Sequence, residues 1–84
     1  MNEPENVRAK LGRIEESIRK GRRSVELEPN NYFHLNDLGY SLLEAGLFKE
    51  AETVLKRSIS LAPPEYEFAR NNLKLLYERQ KEER

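Results

Sequence analysis

LEAGLFKEAE, residues 43–52, joins two stretches of helical spacing, LGYSL before it and TVLKRSIS after it. Gly46 stands between them, and glycine costs a helix interior roughly 1 kcal/mol relative to alanine. The residue makes sense if it ends one helix in a left-handed conformation, which side chains with a Cβ adopt reluctantly. The following helix then starts almost at once and runs back antiparallel to the first.

Working outward, apolar residues recur at helical intervals on both sides. Leu35, Leu38 and Leu42 form one stripe in 32–46. Ala51, Val54, Leu55 and Ser58, with Leu61 or Ala62, form a second in 48–61, and Ala69, Leu73, Leu76 and Tyr77 a third in 65–80. No segment alternates with a period of two, so the chain is expected to be all-α. Pro29 closes the segment ending at Leu27, and Pro63-Pro64 closes the one ending at Leu61, because the residue before a proline is pushed out of the helical region. The asparagines of PNN, 29–31, are placed to cap the helix that follows.

The sequence also repeats itself. Shifted by 34, Gly12 falls on Gly46, Ser17 on Ala51, Arg22 on Lys56, Arg23 on Arg57, Ser24 on Ser58, Leu27 on Leu61 and Pro29 on Pro63. Shifted by 35, Phe33 falls on Phe68, Asn36 on Asn71 and Leu38 on Leu73, the added residue being Pro64. A fixed period of this size marks stacked helix pairs. The match to Gly46 predicts a second reversal at Gly12. A rival pattern runs through the same place, since Val7, Leu11, Ile14, Ile18, Gly21 and Val25 also suit one long helix.

LNDLGYSLLEAGLFKEAETVLKRSISLAP, residues 35–63, resembles a tetratricopeptide repeat (TPR), whose pattern is W-x₂-L-G-x₂-Y, then A-x₃-F, then P. Leu38-Gly39, Ala51 and Pro63 match, and Leu35, Leu42 and Leu55 stand in the aromatic places. The resemblance implies antiparallel helix-turn-helix repeats, a fragment of a right-handed α–α superhelix. Within one domain, 1–31 is then a partial first repeat, 32–65 a complete one and 66–84 a capping helix. The N-terminus departs from the pattern, with Pro4 in the Leu place and Arg8 in the Tyr place, so its first helix is expected to be a stub or a substitute. Gly39 and Ala51 are expected to let paired helices approach closely, and Ser17 to do so one repeat earlier.

Chemistry finds little to work with. The 84 residues contain no cysteine and one histidine, His34, and their glycines form no phosphate loop, so no catalytic, metal or cofactor site is expected. Lys plus Arg equals Asp plus Glu, at 15 each, which leaves no global attraction to nucleic acid or to an anionic membrane. The one basic cluster, RKGRRS at 19–24, is read as a solvated helix face. No apolar run reaches the roughly 20 residues that span a bilayer, and MNEPENVRAK lacks a signal-peptide core. The expected location is therefore cytoplasmic.

A second face is more informative. Phe33, Asn36, Tyr40 and Leu43 lie at helical spacing beside the first stripe, and Phe68, Asn71 and Leu75 follow the same spacing one repeat later. By the resemblance, these places line a concave groove that receives an extended peptide or a partner helix. No Lys or Arg stands among them to meet a C-terminal carboxylate, which argues against a chaperone-tail adaptor. The expected function is a non-enzymatic protein–protein interaction module. The alternative is a structural or designed repeat fragment that only stacks or weakly self-associates.

Overall fold

A computed structural model describes the backbone of residues 3–83 and the side chains of residues 8–83. Four helices follow one another: α1 (Glu3–Leu27), α2 (Tyr32–Glu44), α3 (Phe48–Leu61) and α4 (Phe68–Glu82). There is no strand among the described residues.

Gly46 makes the reversal between α2 and α3 at φ +80°, the only positive φ among the described residues. Its N–H donates to the Leu43 carbonyl at 3.0 Å, and the Leu47 N–H donates to the Leu42 carbonyl at 2.9 Å. These two bonds satisfy carbonyls that the end of α2 would otherwise leave bare. At the other end of α2, Asn31 Oδ1 accepts from the N–H groups of Phe33 and His34 at 2.9 and 3.2 Å. Asn31 Nδ2 meanwhile donates to Glu28 at 2.9 Å, which ties the cap to the end of α1. At the end of α3, Ala62 turns to an extended conformation immediately before Pro63.

α2 packs against all three other helices, and α3 against α2 and α4. Leu38, Leu42 and Leu43 of α2 meet Ala51 and Leu55 of α3 and Ala69 and Leu76 of α4 in one buried cluster. The α2–α3 contact is close because Gly39 has no side chain; a Cβ there would lie 2.5 Å from Leu55 Cδ2. The wholly buried Ser58 donates its hydroxyl to the Tyr32 carbonyl at 2.9 Å, which satisfies a polar group in this tight seam.

The predicted reversal at Gly12 is absent, and the stub helix with it. α1 runs unbroken through Gly12 to Leu27. A helix end exposes up to four unpaired backbone groups, whereas a glycine held inside costs only about 1 kcal/mol. A reversal therefore needs a returning segment with enough apolar surface to offset the difference, and residues 1–11 offer only Met1, Val7, Ala9 and Leu11. The continuous stripe prevails instead: Ile14 is buried, and Ile18 and Val25 pack on the core. The close approach expected of Ser17 is made by Gly21, where a Cβ would come 3.1 Å from Leu38 Cδ1. No helix among the described residues is long and apolar enough to cross a membrane.

Candidate functional site

Phe33 lies in the first turn of α2 and Phe68 opens α4, and the packing of α2 on α4 sets these two helix starts side by side. Tyr66 lies between them, in the loop that the two prolines impose, with its N–H on the Pro63 carbonyl at 3.0 Å. Its ring meets Phe33 edge-on at 5.1 Å, Phe68 at 5.4 Å and Tyr32 at 4.8 Å, while Tyr32 stacks on Phe33 at 4.7 Å. These are the separations at which aromatic quadrupoles attract. The outer rings remain accessible: Phe33 is 54% exposed and Phe68 65% exposed. Burial, reinforced by nearby Asp37, raises the pKa of the Tyr66 phenol above the ordinary tyrosine value, so its ring stays neutral and apolar.

The remaining predicted residues divide. Tyr40, about two turns along α2, is exposed; Asn71 is exposed on α4, and Leu75 is half-buried against the core. Two others turn inward. Leu43, expected to offer an apolar contact, is 1% exposed and belongs to the core. Asn36, expected to bond a ligand backbone, is buried, and its Oδ1 accepts from Asn72 Nδ2 of α4 at 2.9 Å. Asn36 and Leu43 are two helical turns apart on one face of α2, and that is the face α4 covers. Tyr32 and Tyr66 escaped the sequence reading because Tyr66 sits outside any helical stripe. A shift of 34, one short of the 35 that aligns α2 with α4, brings Tyr32 onto Tyr66, and that match was the signal that could have found both.

The basic cluster is partly neutralised. Arg22 forks onto the carboxylate of Glu50 in α3, which holds the guanidinium pKa up, and Lys20 pairs with Glu16 at 3.5 Å. His34 bonds Glu28 at 2.9 Å across the α1–α2 loop. Among the described residues, no group of three or more acidic or histidine side chains is arranged to hold a metal ion.

Compared with protein-family models, with curated proteins and with solved structures, the chain matches none.

Proposed function

We propose that the chain is a non-enzymatic protein-interaction module of tetratricopeptide type, working in the cytoplasm without a cofactor. It receives an extended peptide or a partner helix along α2 and α4. The repeat reading draws support from the glycine reversal at Gly46, the side-chain-free seam at Gly39, and the 34-residue period. The interaction reading rests on one observation: two phenyl rings, each more than half exposed, are fixed in a four-ring cluster at the start of both helices. Rings that already have neighbours lose little conformational freedom on binding, and aromatic side chains of this kind anchor interfaces.

The ligand class follows from the lining. An apolar side chain, aromatic or branched, seats on the exposed faces of Phe33 and Phe68, across the Tyr66 ring that separates them. The exposed amide of Asn71 offers a donor and an acceptor to the ligand backbone, and Tyr40 contacts the next turn. The surface is small, so the affinity is modest, with a dissociation constant of about 1 μM or weaker.

The test is titration of an array of short apolar and aromatic peptides against the wild type and against Phe33→Ala, Phe68→Ala and Tyr40→Ala. Each substitution is expected to weaken the best peptide by about tenfold, or 1.4 kcal/mol, with the circular dichroism unchanged. Loss of helicity in step with binding would make these rings core residues and end the groove assignment.

A further inference from the structure

Two faces of the molecule lack a packing partner among the described residues. One is a cleft of about 250 Å³ between α1 and α2, floored by Ser17, Gly21 and Ser24 and walled by Asp37 and Ser41. The other is an apolar groove of about 370 Å³ between α3 and α4, where Ile59, Leu73 and Tyr77 meet. The internal repeat relates them. A shift of 34 carries α1 onto α3, and a shift of 35 carries α2 onto α4. α3 is paired with α2, whereas among the described residues α1 has no such first helix beside it and α4 no such second helix.

We infer that the two faces bind each other between copies of this chain, head to tail. The α1 helix of a second copy seats on α3 and α4 of the first, as α3 seats within its own chain on α2. The α4 helix of the first copy thereby fills the α1–α2 cleft of the second. This interaction does not depend on the peptide face, but it covers Asn71 and so competes there with a bound peptide.

The contacts inside one chain provide the check, because the same shifts carry each of them to a definite pair across the junction. Arg22 of α1 pairs with Glu50 of α3; shifted, Lys56 faces Glu16 of the second copy. Arg57 donates to Asn30 at 2.6 Å; shifted, Arg23 of the second copy faces Glu65. Asn72 donates to Asn36; shifted, Asn71 faces Asp37 of the second copy. Ser58 donates to the Tyr32 carbonyl; shifted, Ser24 of the second copy faces the Glu67 carbonyl. All four pairs are chemically matched, and two are opposite charges.

The six side chains of the first three pairs are exposed in the single chain. Lys56 and Glu16 already hold partners one turn away, Glu52 at 3.3 Å and Lys20 at 3.5 Å. Their meeting extends two pairs into an alternating row of four charges rather than breaking either. Shape agrees as well. Within the chain, Leu55 fills the space left by Gly39; at the junction, the stem of Lys74 takes the Gly39 place and Gly21 the Leu55 place. The hole has changed sides, and Ser17 keeps the small residue that Ala51 provides inside.

A head-to-tail contact uses different surfaces on the two copies, so it does not close at two. Sedimentation of the wild type over a concentration series is expected to show a weight-average mass that keeps growing past the dimer. Lys56→Glu with Glu65→Arg places like charges at the tail, and Glu16→Lys with Arg23→Glu does so at the head. Each doubly substituted chain alone is expected to associate about tenfold more weakly, because like charges then face each other. An equimolar mixture of the two restores growth, since both of its junctions are again complementary. All four positions are exposed, and the circular dichroism should match the wild type. A wild type that stays monomeric, a mass that levels at the dimer, or a mixture no better than its components would overturn the inference.

Discussion

Gly12 and Gly46 are equivalent by the repeat and opposite in conformation. Gly46 has φ +80°, while Gly12 lies inside α1 with nothing within 4 Å of the place a Cβ would occupy. The same substitution therefore has opposite signs. Gly12→Ala removes a flexible residue from a helix and should stabilise the fold by about 1 kcal/mol. Gly46→Ala forces a Cβ into the left-handed region and should destabilise by about 1 kcal/mol or more. Gly39→Ala fails for a third reason, steric rather than conformational: its Cβ would press on Leu55, and overpacking of this kind costs about 1–3 kcal/mol. Urea unfolding of the three variants should give that order, with Gly12→Ala alone above the wild type. If Gly12→Ala lowers the midpoint, α1 is not a continuous helix in solution.

At the scale of elements, what the sequence discloses depends on how local the cause is. The bounds of α2 and α3 are legible because Pro29, Gly46 and Pro63 each act on their own neighbours. The course of α1 is not, because a reversal at Gly12 depends on whether residues before it can bury anything. Asn36 and Leu43 were misread for a similar reason. Their spacing places them on a second face of α2, but only the path of α4 decides that this face is covered. α3 and α4 are also joined by a bond that no spacing reveals: Tyr77 donates its hydroxyl to Glu52 at 2.6 Å. That bond lowers the Glu52 pKa and raises that of Tyr77. A lowered carboxylate contributes stability above its unfolded value, about 4.3, and loses it as pH falls through the folded value. A raised phenol contributes below its unfolded value, about 10, and loses it as pH rises through the folded value. The bond thus acts in the window between, and the effect is small because both groups are solvated. Unfolding of Tyr77→Phe against pH should show a deficit across neutral pH that shrinks at both acid and alkaline ends. A deficit independent of pH would mean that Tyr77 acts through packing alone.

For the whole molecule, the arrangement concentrates risk in one helix. At about 0.05–0.15 kcal/mol per residue, a chain of 84 residues holds roughly 4–13 kcal/mol. Leu42, wholly buried in the helix that packs against all three others, carries a large part of what keeps them together. Truncating such a residue costs about 2–5 kcal/mol, which is a large fraction of the total. Leu42→Ala should therefore lower the thermal midpoint steeply and remove the helical signal of all four elements in one transition, since α1, α3 and α4 lose a shared support. Ile14→Ala should behave differently. α1 packs only against α2 and adds the Arg22–Glu50 pair to α3, so loosening Ile14 frees the start of α1 and leaves the α2–α4 core standing. Hydrogen exchange resolved by segment separates the two cases: protection falls everywhere in Leu42→Ala and only in α1 in Ile14→Ala. If Leu42→Ala instead leaves α3 and α4 protected, those helices support each other without α2, and the core does not centre on it.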